Sequence, residues 1–170
     1  MNIIKEELFK KVALPVLYIV TTNSTVKNNG ALIMGRGAAL QARNLIPGID
    51  MECGKVITES GCMQSYGFQE VRAPGRWKAG FGIFQVKTKF DGNAEIGLIV
   101  NSCKMLRTWM LQDQVAMQDE IEEGIDSPLV NVRMNFPGIG AGHLKDAFAD
   151  IEAMLHLYFD EFDNLTVCLR

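Results

Sequence analysis

Apolar residues recur along this chain in two rhythms, and each rhythm predicts an element. Short β-branched or aromatic runs read as strands, and longer stretches with apolar positions three or four apart read as helices. Val16 to Thr22 (VLYIVTT) is the first unbroken run, the pattern of a buried strand. A polar, glycine-containing loop follows from Asn23 to Gly37, and Ala38 to Leu45 (AALQARNL) is helical until Pro47-Gly48 stops it. Lys55 to Thr58 predicts a short strand, and Gly61 to Gly80, rich in Gly, Pro and basic residues, an extended loop or irregular hairpin. Phe81 to Phe90 alternates Ile83, Gln85, Lys87, Lys89 against Phe84, Val86, Thr88, Phe90, which predicts a strand with both lysines on one face. Ala94 to about Glu120 is helical, with Leu98, Cys103, Leu106 and Met110 close to helical spacing. Leu129 to Phe136 (LVNVRMNF) is a strand that runs straight into Pro137-Gly138-Ile139-Gly140-Ala141-Gly142. Lys145 to Phe159 is an amphipathic helix with Phe148, Ile151, Met154 and Tyr158 on one face, and Leu165 to Leu169 is a last strand.

Alternating strands and helices imply a mainly parallel or mixed sheet covered on both faces, an α/β chain. No repeat, low-complexity tract or linker divides it, so residues 1–170 read as one domain. With 48% hydrophobic and 22% charged residues the chain is neither disordered nor membrane-spanning in composition. Its longest apolar runs, Val12 to Val20 and Ile96 to Val100, fall short of the ~20 residues a bilayer demands. Met1 to Lys11 mixes acidic and basic residues without a secretory apolar stretch, so a cytoplasmic location is expected. The cysteines (Cys53, Cys62, Cys103, Cys168) are scattered with no CxxC pair, an arrangement of reduced thiols rather than a zinc site or disulfide framework. A formal charge of −3 gives no general pull toward nucleic acid. Arg72, Arg76, Lys78, Lys87 and Lys89 nevertheless lie close together in sequence and could form a local basic patch.

Two strand–glycine–helix junctions carry the candidate chemistry. In open α/β sheets ligands sit at the carboxyl ends of the strands, where such loops lead into helices. The first junction is Met34-Gly35-Arg36-Gly37-Ala38-Ala39, and the second is Gly138 to Gly142. Glycine permits close backbone approach to a ligand, and the helix that follows offers unpaired amides to an anion. Either loop alone is equally a tight turn, whereas the pair suggests a diphosphate gripped from both sides. A dinucleotide-binding fingerprint belongs in the first βα turn, with an acidic residue ~20 positions later. Only 28 residues follow Gly142, too few for that unit. Neither loop ends in the Gly-Lys-Ser/Thr of a phosphate-binding P-loop.

Thr22-Asn23 with Met34-Gly35-Arg36-Gly37-Ala38-Ala39-Leu40-Gln41 resembles the first ligand loop of macro domains, closest to the branch with an "MGxGIAxxF"-like segment. That branch includes ADP-ribosyl-glutamate and ADP-ribosyl-nucleotide hydrolases. Phe136 to Gly142 resembles its second loop, of "P-x-I-G-x-G" form, and Glu6-Glu7-Leu8-Phe9 stands where the family has "GDLF". The resemblance spans nearly the whole chain and implies a three-layer α/β/α sandwich with ADP-ribose, or an ADP-ribosylated substrate, as partner. No cofactor and no metal is expected. Carried over by position, the resemblance implies that Asn23 contacts the distal ribose. Gly35, Arg36 and Gly37, with Gly138, Ile139, Gly140, Ala141 and Gly142, would wrap the diphosphate. Glu7 would accept the adenine amino group, and Lys89 would stand where one hydrolase branch keeps an attacking lysine. That branch's partner aspartate is replaced by Leu144, which leaves His143 or Asp146 as substitutes.

Each of these residues also has a plainer reading. Lys89 could belong to a solvated strand face, His143 to an exposed loop, and His156 to a helix without partner in sequence. Asn28-Asn29-Gly30 is an ordinary turn signal, and Trp77 either stacks on a base or packs over the core edge. The expected function is ADP-ribose binding, with hydrolysis of an ADP-ribosyl bond or of ADP-ribose-1''-phosphate through Lys89 and His143. A non-catalytic reader of ADP-ribose-like nucleotides is the first alternative, which the missing aspartate favours. An RNA or oligonucleotide binder using Arg72 to Lys89 is the second, and a membrane partner is not expected.

Overall fold

A computed structural model describes residues 1–13, 15–137 and 147–169 of the chain. In chain order the elements are β1 (Asn2–Lys5), β2 (Val16–Thr22), α1 (Gly37–Leu45), α2 (Ile49–Glu59), β3 (Phe68–Val71) and β4 (Gly80–Gln85). These are followed by α3 (Ile96–Glu122), β5 (Asn131–Asn135), α4 (Phe148–Phe159) and β6 (Leu165–Leu169). The strands form one sheet in the order β1-β6-β5-β2-β4-β3. Every pairing is parallel except that of β3 with β4. The carboxyl ends of β1, β2, β4, β5 and β6 therefore lie along one edge.

Period-two alternation sends each central strand into two cores. Leu17 and Ile19 of β2 join Val132 and Met134 of β5 beneath α3 and α4, where Cys103, Leu106, Leu155 and Phe159 fill the layer. Val16, Tyr18 and Val20 face the other way, onto Ala42 of α1 and Ile49, Cys53 and Ile57 of α2. A strand buried on both faces has no polar side to show, which is why VLYIV is unbroken. The result is the expected three-layer α/β/α sandwich with a mixed, mainly parallel sheet. Within its helices the seams shift slightly from those read in the sequence. Ile99 rather than Leu98 is the buried residue of the first turn of α3, and Leu155 and Phe159 are buried alongside Ile151 in α4.

Some local expectations are corrected. Lys55 to Thr58 belongs to α2, not to a strand. Its β-branched pair Val56-Ile57 is outweighed by the four-residue spacing of Ile49, Cys53 and Ile57, all buried on the sheet. The strand expected over Phe81 to Phe90 ends at Gln85. Beyond it Val86 still donates to the Thr22 carbonyl, and its own carbonyl accepts from Glu95. The chain then turns through Thr88 to Phe90, so the alternation of Lys87 with Lys89 is not that of a strand. The hairpin reading of 61–80 holds, with β3 as its first arm. β1, an edge strand with only Ile3 partly buried, carries too little apolar pattern to be read in advance.

The long loop after β2 is itself ordered. Val26 and Leu32 form an antiparallel bridge, and Asn28-Asn29-Gly30 makes the turn, with Gly30 at φ +88°. This small hairpin rests on α2 at Gly54, where a Cβ would stand 1.8 Å from the Gly30 carbonyl oxygen. Trp77 meets Tyr18 and Phe9 edge-on at ring separations of 5.9 and 6.4 Å, which makes it part of the core edge.

Candidate functional site: a two-part cleft at the carboxyl edge of the sheet

Where β2, β5 and β6 end and α1 begins, the surface opens into two hollows that share Gly37, Ala38 and Asn135. The larger, about 600 Å³, is walled by Glu6, Glu7, Leu8 and Phe9 on one side and by Gln41 and Asn44 of α1 on the other. The smaller, about 240 Å³, is lined by Thr21, Asn23, Gly35, Arg36, Lys87 and Phe90, among others.

Between them lies the start of α1. No side chain caps this helix, and Arg36 at its N-cap is extended, with φ −147° and ψ 159°. The first amides of any helix lack intrahelical acceptors, so those of α1 have no partner within the helix and point toward the cleft as an anion would require. Gly37 holds φ +56°, the left-handed region that favours glycine. Among the described residues, a Cβ built on Gly35 or Gly37 meets nothing within 4 Å. This contrasts with Gly54, whose missing side chain is demanded by a neighbouring backbone. The glycines of this loop keep space empty; Gly54 lets two pieces of chain touch.

Buried hydrogen bonds fix the floor. The Tyr66 hydroxyl bonds Thr22 Oγ1 and donates to the Asn23 carbonyl at 3.0 Å. Burial pushes that phenol far above its ordinary pKa, so it stays neutral. Asn135 Nδ2 donates to Thr21 Oγ1 at 2.7 Å while its Oδ1 accepts from the Thr21 amide at 2.9 Å, tying β5 to β2 across the cleft. Asn23 Nδ2 donates to the Ile33 carbonyl and its Oδ1 accepts from Thr25 N, both at 2.8 Å. One donor hydrogen and one lone pair of that amide remain for other partners. Ser24 and Thr25 hydroxyls reach the Thr88 carbonyl, which joins the small hairpin to the turn that carries the lysines.

Lys87 is the half-buried cation of the smaller hollow, its ammonium donating to the Gly92 carbonyl at 3.2 Å and to the Phe90 carbonyl. Burial lowers its pKa below the ordinary 10.5, and the Arg36 guanidinium lowers it further, against an opposing pull from Asp91.

No protein-family model and no curated protein sequence matches the chain. Solved structures do. The macrodomain of Thermus aquaticus DarG superposes with a TM-score of 0.66 at 16% identity, covering 99% of this chain and 97% of that one. The macrodomain of Mycobacterium tuberculosis DarG gives 0.61 at 16% identity, over 98% and 94% of the two chains. This chain has the macro-domain fold. Thermosipho africanus DarTG in complex with ADP-ribose gives 0.60 at 16% identity, with 91% of this chain matching 38% of that one. A Bacteroides thetaiotaomicron protein of unknown function gives 0.67 at 12% identity, covering 98% and 96%.

Set on this macro-domain frame, the residues singled out in the sequence divide into three groups. Glu7, Asn23, Gly35, Arg36 and Gly37 all line the cleft. Gly138, Ile139, Gly140, Ala141, Gly142 and His143 lie outside the described residues, as do Leu144 and Asp146. Lys89 is exposed in the turn after β4; its neighbours Lys87 and Phe90 line the cavity and it does not. The basic stretch is also divided. Arg72 and Lys78 border a separate hollow with Trp77 at the opposite end of β4 from Lys87. Sequence reading passed over Asn135, although a polar residue ending an apolar strand just before Phe136-Pro137-Gly138 was a usable signal. It also passed over Tyr66 and Arg133, whose roles depend on partners distant in sequence.

Proposed function

We propose that this macro domain binds ADP-ribose, or an ADP-ribosyl group on a larger molecule, along the two-part cleft. The observation that carries the reading is the position of the α1 glycine loop at the meeting point of the two hollows. A diphosphate on the open amides of Gly37 and Ala38 has a hollow to either side, as a ligand with two ribosyl ends requires. The larger hollow, with Phe9 and Phe136 beside the Glu7 carboxylate, suits a purine with an exocyclic amino group. The smaller, with Asn23, Arg36 and Lys87, suits the polar distal ribose. By the family resemblance, Gly138 to Gly142 would add further contacts to the diphosphate. The ADP-ribose complex of the Thermosipho africanus neighbour supports this reading.

A half-buried lysine in the wall of the smaller hollow, its pKa lowered by burial, supports turnover over passive reading. A free amine attacks the anomeric carbon and displaces the leaving group, which departs with a proton (as water when the ligand is free ADP-ribose); the ribose ring then opens to a Schiff base, which water hydrolyses to free the amine. We assign that amine to Lys87, which lines the cavity, in place of the Lys89 suggested by resemblance; His143 is the candidate proton carrier. Calorimetry with ADP-ribose, AMP and NAD tests the binding, and borohydride reduction with ADP-ribose tests the adduct. ADP-ribose binding with an adduct lost in Lys87→Ala and retained in Lys89→Ala supports the full reading. An adduct lost only in Lys89→Ala moves the amine to Lys89. Binding without any adduct or release of ADP-ribose leaves a reader, and no binding of ADP-ribose removes the proposal.

A further inference from the structure

Arg133 is a buried cation that the function above does not use. It sits in the middle of β5, where Val132 and Met134 enter the apolar core under α3 and α4. Its own side chain turns to the opposite face, beside Tyr18 and Cys168, and the residue is only 6% exposed. On that face α1 and α2 supply the helical cover of the sheet, while the connector from β1 to β2 passes over the ends of β5 and β6. Residues 6–10 of this connector have no strand or helix of their own to satisfy their carbonyls.

Arg133 supplies donors to two of these carbonyls, while the Lys10 carbonyl accepts from the Tyr18 hydroxyl and the Glu7 carbonyl also from the Lys10 amide at 3.4 Å. Arg133 Nε donates to the Leu8 carbonyl at 3.1 Å, and Nη2 donates to the Glu7 carbonyl at 2.9 Å and to Glu6 Oε2 at 2.7 Å. Nη2 also lies 3.3 Å from Cys168 Sγ. Lys10 donates to the other Glu6 oxygen at 2.5 Å, so the carboxylate is held between two cations. These bonds hold the Glu6 pKa below its ordinary 4.5, with that of Lys10 contributing most and Arg133 next. The carbonyls held here belong to consecutive residues of the larger hollow's wall, and the Glu7 side chain remains exposed, without an ion-pair partner among the described residues.

Burying a guanidinium is costly, and an apolar side chain packs a sheet face at least as well. What an apolar residue cannot do is fix three successive residues of an irregular segment through a rigid fork of donors. We propose that Arg133 is a positioning residue for ligand recognition: it suspends the connector so that the Glu7 carboxylate faces the base in the larger hollow. The inference rests on the ADP-ribose reading. It adds that base selection depends on a residue that touches no ligand.

The test compares binding of ADP-ribose with that of an analogue whose base is purine without the amino group, in the wild type and in Arg133→Met. The wild type should prefer ADP-ribose by about 10- to 100-fold, the worth of one hydrogen bond to a charged group. Folded Arg133→Met should lose that preference while its affinity for the purine analogue changes by about twofold or less, because the diphosphate grip lies on α1. Arg133→Lys keeps the charge without the fork and should fall between the two; if the methionine variant does not fold, this one decides. A preference unchanged in a folded variant, or an equal loss for both ligands, overturns the inference and reduces Arg133 to a packing role. A wild type that binds both ligands equally overturns it too, with the ADP-ribose reading intact. A wild type that binds neither removes that reading instead.

Discussion

Replacing Gly35 with valine separates the ligand from the fold. Gly35 is not among the glycines with positive φ, and a Cβ placed on it meets no atom of the described residues within 4 Å, so neither backbone strain nor a described neighbour opposes the substitution. The expected change in folding free energy is within about 0.5 kcal/mol, as for surface positions without a special backbone. For a domain of this length that corresponds to roughly 1–2 °C in Tm. The three added carbons enter the hollow of about 240 Å³ that Gly35 lines, beside the open end of α1. If a ligand's phosphates and distal ribose occupy that space, they must retreat from the amides. A loss of at least 100-fold in ADP-ribose affinity is expected, about 2.8 kcal/mol at tenfold per 1.4. Gly37 is the poorer choice, because its φ of +56° adds a cost of ~1–2 kcal/mol for a non-glycine residue. Thermal melts and calorimetry on the same Gly35→Val preparation read both quantities. A variant that melts like the wild type and binds ADP-ribose with wild-type affinity would refute the placement of the ligand on this loop.

Two further expectations follow from the same geometry. Hydrolysis through the Lys87 amine should rise with pH and level off below the ordinary lysine value of 10.5. Arg36→Ala should move the rise to higher pH, because a neighbouring positive charge is removed; a profile unaltered by that change would separate Lys87 from the titrating group. Gly54→Ala should lower stability by about 3 kcal/mol or more, beyond ordinary overpacking, since its Cβ would stand 1.8 Å from the Gly30 carbonyl oxygen. Denaturant unfolding measures this loss, and a variant as stable as the wild type would show that the small hairpin on α2 yields freely.

Burial acts on each residue singly, and its rhythm is written locally, so the sequence by itself determined the strands over Val16–Thr22 and Leu165–Leu169 and the helical character of α1 and α3. The recurrence of glycine loops at two strand ends marked the α1 loop, although Gly37 also has a local reason in its φ of +56°. What the sequence could not determine are the features that depend on partners far along the chain. β1 exists because Asn2 to Lys5 finds the edge of β6, more than 160 residues away. Lys55–Thr58 is helical because Cys53 and Ile57 must reach a sheet made by other segments. Whether Lys87 or Lys89 faces the cleft depended on where β4 stops, and β4 stops where β2, its parallel neighbour, runs out at Thr22. Arg133 carries the lesson furthest. In the string VNVRMN it is a lone charge on a strand, and only the connector folded over β5 turns it into the support for one wall of the cleft.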